Sequence, residues 1–210
     1  GVTEDMFCIS INHKNTPADV RESFAFSTKG QRQFTEQLKA AVGGCVVLST
    51  CNRMEIYFTD KCEPCGPVIT GKMSSGEASG GRGGLLEQVE MLLANDRDVP
   101  VSLIRRYSMN YEGFQCMLHL CRVACGMDSM VLGEVEIIHQ VKSAYLVAKK
   151  LGACDGELNI AFQGALAAAK AVATESDTTR LPVSVGTLSA REAVNFTRNG
   201  GIENTCRDVR

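Results

Sequence analysis

No stretch of the 210-residue chain is long and apolar enough to span a membrane. Uncharged apolar runs such as Gly43–Leu48 fall far short of the roughly 20 residues a spanning helix needs. Neither sign of charge dominates: 22 Lys+Arg against 24 Asp+Glu leave a net charge of -2. That balance excludes a protein that coats nucleic acid by bulk charge, and leaves room for a local basic patch that meets one RNA. Residues 1–20 show no basic start followed by an apolar stretch, so a secretory signal is not expected. No G-x-G-x-x-G follows a strand-like run. The glycines of Gly80–Gly84 have neither the spacing nor the strand–helix context, so these residues hold no recognisable dinucleotide-binding domain. Cys62-Glu63-Pro64-Cys65 is a C-x-x-C without a second one, which argues against a zinc site, and no metal is expected. Tryptophan is absent too, which excludes nothing.

Cysteine, by contrast, is plentiful, at ten residues. Several fall inside apolar patterns: Cys45 opens a strand-like run, and Cys121 and Cys125 continue a helical stripe. In a chain of this length without a visible signal, buried free thiols in a reducing cytoplasm are expected rather than a disulfide framework. With 44% hydrophobic and 22% charged residues the composition is that of a globular protein with a proper core.

Phe7, Ile9 and Ile11 alternate through Met6–Ile11 and predict a strand. A helix is expected from Ser27-Thr28 to Ala41, ended by Gly43-Gly44. Cys45–Thr50 is a continuous apolar run that reads as a central strand, and Met54–Thr59 alternates again. Only Cys51-Asn52-Arg53 separates them, so a tight reversal with those side chains at its tip is expected. Residues 61–84, rich in Gly and Ser, read as a flexible surface insertion, followed by a helix over Leu85–Leu93 and a strand over Val101–Met109. From Tyr111 the period turns helical, with Phe114, Met117, Leu118, Cys121 and Cys125 as an apolar stripe and Gly126 as the stop. Helices are predicted over Glu134–Leu151, Leu158–Thr174 and Val185–Thr197. The fold class expected is α+β: a small mixed or antiparallel sheet with packed helices, then a long helical connector. The division expected is a catalytic domain over 1–152 and a connector over 153–210.

Three segments carry side chains suited to chemistry. In Ser49-Thr50-Cys51-Asn52-Arg53, a strand-end turn would hold a thiol rigidly and accessibly, and a neighbouring guanidinium favours the thiolate a nucleophile needs. On pattern alone, a half-buried turn cysteine fits as well. Ser10-Ile11-Asn12-His13-Lys14 ends the first strand, where His13 and Lys14 suit an anion or ester, and a plain polar loop suits them too. His119 sits on a helix, where a lone histidine is usually structural. It is followed by Asp128, Ser129, Glu134, Glu136 and Gln140, the last two on one side of a helix.

Taken together these segments resemble the glutamyl-tRNA reductase family. Ile11-Asn12-His13-Lys14 with Pro17 and Val20-Arg21-Glu22 looks like its first signature, and Leu48 to Glu55 looks like its nucleophile motif. His119 through Glu134, followed by Gln140-Val141-Lys142, looks like its central signature, and Glu175 with Ser184-Val185-Gly186 looks like its connector. The resemblance implies an NADPH-dependent oxidoreductase that opens tetrapyrrole (porphyrin) biosynthesis. In it Cys51 would take glutamate from glutamyl-tRNA(Glu) as a thioester, and reduction would release glutamate-1-semialdehyde. It implies catalytic roles for Cys51 and His119, and substrate contacts from Thr50, Asn52, Arg53, Ser129, Glu134, Val135, Glu136 and Gln140. Arg53, at a turn tip, would serve the glutamyl carboxylate more than the fold, so that Arg53→Lys would leave thermal stability nearly unchanged. It further implies a cytoplasmic homodimer in the full-length enzyme, and the semialdehyde aminomutase as a partner. The NADPH domain would follow the connector, and these residues contain no cofactor-binding site of their own. The sequence departs from the family at Val135 and Glu136, where Pro and Gln are usual, at Cys125, and in the insertion. A non-catalytic module that binds charged tRNA or a pathway partner is the alternative.

Overall fold

In the computed structural model, which describes residues 5–42, 44–60, 82–129 and 136–175, the alternating segment near the start forms β1 (Met6–Asn12). A short helix α1 (Ala18–Glu22) and a longer α2 (Thr28–Val42) follow, then β2 (Cys45–Ser49) and β3 (Arg53–Thr59). Next come α3 (Arg82–Arg97), α4 (Val101–Tyr107), β4 (Met109–Glu112), α5 (Gly113–Ala124), α6 (Glu136–Lys150) and α7 (Gly156–Glu175). The strands form one antiparallel sheet in the order β2-β3-β1-β4. The α+β class is as the sequence predicts, and the sheet is antiparallel throughout.

The structure corrects several local expectations. β2 is an edge strand, not a central one; its apolar run is buried because α2 and α6 cover it. Its free edge is closed by other means, with Cys45 N–H donating to the Ala153 carbonyl at 2.7 Å and Gln31 Nε2 donating to the Val47 carbonyl at 2.6 Å. Val101–Tyr107 is helical rather than extended: Pro100 stands at its N-cap, Ile104 is buried, and Arg105 reaches Glu90 at 2.7 Å and Glu87 at 3.1 Å on α3. The alternation in Val101-Ser102-Leu103 is overridden by this packing against α3. Tyr111 and Glu112, expected to begin a helix, instead end the short outer strand Met109–Glu112, which pairs with Phe7–Ser10, and Gly113, at φ 56, turns the chain into α5. Phe114 is exposed, so the buried side of α5 is instead Cys116, Met117, Leu120, Cys121 and Ala124.

Other expectations hold. α5 ends at Gly126, at φ 71, in a Schellman arrangement in which Met127 N–H reaches the Arg122 carbonyl. α6 ends at Gly152, at φ 63. α3 begins at Arg82, so Arg82, Gly83 and Gly84 belong to this helix and not to the expected insertion; residues 61–81, with Cys62 and Cys65, lie outside the described residues. So do Glu134, Val135, Ser184-Val185-Gly186 and the helix expected over Val185–Thr197. α7 packs on α5 and α6, burying Leu158, Ala161, Phe162, Ala165 and Ala169. Phe162 meets Tyr57 edge-on at 5.3 Å, which ties this helix to the centre of the sheet.

Gly44, just before β2, has no room for a side chain. A Cβ there would lie 2.6 Å from Thr59 Oγ1 and from Asp155 Cγ, atoms that are themselves joined through the Thr59–Asp155 hydrogen bond. Gly44→Ala is therefore expected to destabilise the protein by about 1–3 kcal/mol, the usual range for overpacking. A urea melt that matches the parent would show that the α6–α7 turn gives way instead.

Candidate active site

The hairpin joining β2 to β3 is short because Ser49 already pairs with Met54. Thr50 N–H donates to the Arg53 carbonyl at 2.8 Å, and Thr50 Oγ1 accepts the N–H groups of Asn52 and Arg53, both at 3.2 Å. This hydroxyl-stapled turn holds Cys51 at its tip, exposed. β1 supports the turn from the other side: Asn12 is in register with Arg53, and His13 N–H donates to the Asn52 carbonyl at 3.0 Å.

Behind the turn, pairing of β1 with β3 places Cys8 opposite Tyr57, Ser10 opposite Glu55, and Asn12 opposite Arg53. The residues of both strands are buried throughout, so the charges on this face must be paired internally. Glu55 does this. Its Oε1 accepts from Ser10 Oγ at 2.8 Å, Arg53 Nη1 at 3.0 Å and His119 Nε2 at 2.9 Å, and its Oε2 accepts from Tyr57 Oη at 2.6 Å. Burial alone would raise this carboxyl, but the hydrogen bond and charge of His119, with Arg53 and Tyr57, hold it at about 2. The ionised carboxylate only accepts, so His119 Nε2 carries the proton toward it. The imidazole is further fixed by stacking on Tyr111, with centroids 4.1 Å apart.

Arg53 is not a free guanidinium at a turn tip. It is 3% exposed, with Nη1 on Glu55 and Nη2 donating to the Asp128 carbonyl at 2.6 Å. The expectation that Arg53→Lys would leave stability unchanged is corrected accordingly, because lysine cannot fork to both acceptors. Asp128 itself binds Lys14 and Arg122, the latter at 3.2 Å. Burial would raise the Asp128 carboxyl, and the hydrogen bonds and charges of Arg122 and Lys14 bring it down to about 2. Asn12, Lys14, Arg53, Tyr111, His119 and Asp128 are among the residues lining a cavity of about 300 Å³, at the lower end for a small-ligand site. On its other side, Arg53 joins Arg21, Thr50 and Cys51 in lining a narrow cleft of about 10 Å³.

The structure thus brings Thr50, Cys51 and Arg53 together at the turn, while His119 lines the larger cavity, which shares Arg53 but not Cys51 with the cleft at the turn. Asn52 contributes its backbone to the turn. Ser129 adjoins Asp128, its N–H donating to the Gly126 carbonyl. Glu136 and Gln140 stand on the first turns of α6 and line neither cleft, and Glu134 and Val135 lie outside the described residues. Sequence reasoning missed Glu55, the hub of the site. Its signal was present: an acidic residue in an alternating strand, sharing a face with Tyr57, two residues beyond Arg53.

Cys8, Glu55 and His119 bring a sulfur, an oxygen and a nitrogen within 4.8 Å of one another, which is metal-like spacing. The chemistry is that of a hydrogen-bond cluster. Glu55 already accepts four hydrogen bonds, one from a guanidinium, and burial with the neighbouring Cys116 pushes the Cys8 thiol well up, toward its neutral form. Burial also pushes Cys45, Cys121 and Cys154 up to about 12. A third cavity, of about 370 Å³ between α2 and α6, is lined by Arg32, His139, Lys142 and Lys150, with no acidic residue among its described lining.

The model of the glutamyl-tRNAGlu reductase N-terminal domain family matches residues 9–176. Glutamyl-tRNA reductase of Carboxydothermus hydrogenoformans is 35% identical over 190 residues, 90% of this chain and 38% of that protein. The Desulforudis audaxviator glutamyl-tRNA reductase is 36% identical over 179 residues, 84% of this chain and 36% of that one. The solved glutamyl-tRNA reductase of Methanopyrus kandleri superposes with a TM-score of 0.60 at 28% identity, over 82% of this chain and 35% of its own. The chain therefore spans little more than a third of the length of these relatives.

Proposed function

This chain belongs to the family of glutamyl-tRNA reductase N-terminal domains, and on that premise we propose that it performs the acyl-transfer half of a tetrapyrrole-forming reductase. The observation that carries the reading is the exposed thiol of Cys51 on a hydroxyl-stapled turn, two residues before Arg53, which lines the larger cavity together with Lys14, Arg122 and Asp128. The Cys51 sulfur attacks the ester carbonyl that joins glutamate to the tRNA 3′ end, giving a thioester and free tRNA. Thr50 and Asn52 set the turn. Arg53, Lys14 and Arg122 give the cavity the positive character that a glutamyl carboxylate needs; Ser129, Glu134, Val135, Glu136 and Gln140 are kept as substrate contacts on the family resemblance alone, since Glu136 and Gln140 line neither cleft. His119, held by Glu55 and Tyr111, orients the acyl group from the cavity wall. The basic dish between α2 and α6 suits RNA phosphates.

These residues do not fit NADPH. No G-x-G-x-x-G is present, and among the described residues the strand that runs straight into a helix, β4, does so through the single glycine Gly113. The reduction to glutamate-1-semialdehyde requires a nicotinamide held by other residues.

The test is to incubate the chain with glutamyl-tRNA carrying labelled glutamate, with and without NADPH. The label is expected on Cys51 in both arms and is expected to leave slowly as glutamate, with no aldehyde in either. Absence of a protein-bound label would sink the acyl-transfer reading, and NADPH-dependent aldehyde would place a cofactor site within these residues.

A further inference from the structure

Among the described residues, Arg21 Nε is a buried side-chain atom without a hydrogen-bond partner, and so is His13 Nδ1. Buried polar groups are rarely left unpaired, because each costs its full desolvation. Both of these orphans flank the turn that carries Cys51. His13 is bonded through its backbone to Asn52, and Arg21 lines the narrow cleft with Thr50, Cys51 and Arg53. The two arginines of that cleft are not equivalent. Arg53 has both terminal nitrogens engaged, by Glu55 and by the Asp128 carbonyl. Arg21 is anchored through Nη1 alone, which donates to the Thr16 carbonyl at 2.8 Å, and this anchor fixes the guanidinium while leaving its Nε–H without an acceptor. The cleft, at about 10 Å³, has room for roughly one oxygen-sized atom. A pre-positioned cationic donor, unsatisfied in the resting protein and belonging to a side chain that lines space for one oxygen beside a nucleophile, suits the stabilisation of a developing oxyanion.

From this we infer that Arg21 donates its Nε–H to the carbonyl oxygen of an acyl group under attack by Cys51. The inference rests on the reading of Cys51 as the nucleophile. In the step, the sulfur–carbon bond forms as the carbonyl π pair moves onto oxygen, where Arg21 holds it. Collapse restores the carbonyl and breaks the carbon–oxygen bond to the leaving alcohol. Net, the thiol proton ends on the released hydroxyl. The arrangement favours carbonyl electrophiles over alkylating ones, since only the former place charge on an oxygen in the cleft.

The test uses Arg21→Gln and Arg21→Lys in the whole chain, each checked by circular dichroism, with two small reagents read at Cys51 by mass spectrometry. Acylation by p-nitrophenyl acetate is expected to fall about 100- to 1000-fold in Arg21→Gln, as for loss of one oxyanion donor. Alkylation by iodoacetamide, which builds no oxyanion, is expected to stay within about twofold. Arg21→Lys keeps the charge without the Nε–H and is expected to be similarly slow in acylation. Equal losses in both reactions, no loss in either, or full acylation by Arg21→Lys would each overturn the assignment. A third arm measures single-turnover transfer from glutamyl-tRNA, where the maximal rate is expected to drop at unchanged half-saturation. A weaker half-saturation at an unchanged rate would give Arg21 to an RNA phosphate instead and overturn the proposal. Wild-type protein that accepts acetyl on Cys51 but nothing from glutamyl-tRNA would refute the proposed function while leaving the Arg21 result standing.

Discussion

Glu55→Ala is expected to take about 3–5 kcal/mol from the stability of the fold, the range for breaking a buried ion pair by removing one partner. The reason is the number of groups that depend on this carboxylate. Ser10, Arg53, Tyr57 and His119 all donate to it, and Glu55 is fully buried. Without it the Arg53 guanidinium, itself 3% exposed, keeps only the Asp128 carbonyl, and an uncompensated charge remains in the sheet. The same linkage gives a pH dependence. The Glu55 carboxyl moves from an ordinary 4.5 to about 2 in the folded state, and that of Asp128 from 3.8 to about 2. Both folded values lie below the unfolded ones, so their contribution is fully present above about pH 5 and is lost as pH falls toward 2. Urea melts from pH 6 down to pH 2.5 should show stability declining below pH 5, and Glu55→Gln should flatten that decline. A Glu55→Ala protein as stable as its parent, or a parent whose stability is level across that range, would contradict this account of the hub.

Cys51→Ser is expected to do the opposite: leave the fold intact and remove the covalent chemistry. Its side chain is exposed at the turn tip, and the turn is held by Thr50 and the backbone rather than by the thiol. Stability should change by less than about 0.5 kcal/mol, as for most surface substitutions. Labelled glutamate from glutamyl-tRNA should fall to background, because a hydroxyl is a far weaker nucleophile than a thiolate. Cys8, Cys45, Cys116 and Cys121 are buried in the same protein, so brief treatment with iodoacetamide should modify Cys51 ahead of them. A Cys51→Ser protein that still acquires labelled glutamate would place the nucleophile elsewhere, and preferential alkylation of any of those four would contradict the burial argument.

The two substitutions differ because one residue faces solvent and the other faces inward, a distinction the sequence signalled only in part. Period-two alternation marked β1 and β3, and the three residues between Ser49-Thr50 and Met54 forced a reversal with Cys51 at its tip. Helical periods and glycine stops located α2, α5, α6 and α7 to within a few residues, since those signals are local. What the sequence could not rank was the depth of each polar side chain. Arg53 read as a turn residue, yet its pairing with Asn12 on β1 draws the guanidinium under α5, where Glu55 and the Asp128 carbonyl hold it. Arg21 read as part of a signature, and only folding puts it in the cleft of Cys51, 30 positions along the chain. Val101–Tyr107 became a helix because its partners lie on α3, and β2 became an edge because two helices, not two strands, bury it. Local pattern determined which segments are strands, turns and helices. The tertiary structure decided which charges are buried together, because that depends on cross-strand register and helix packing between residues far apart in the chain.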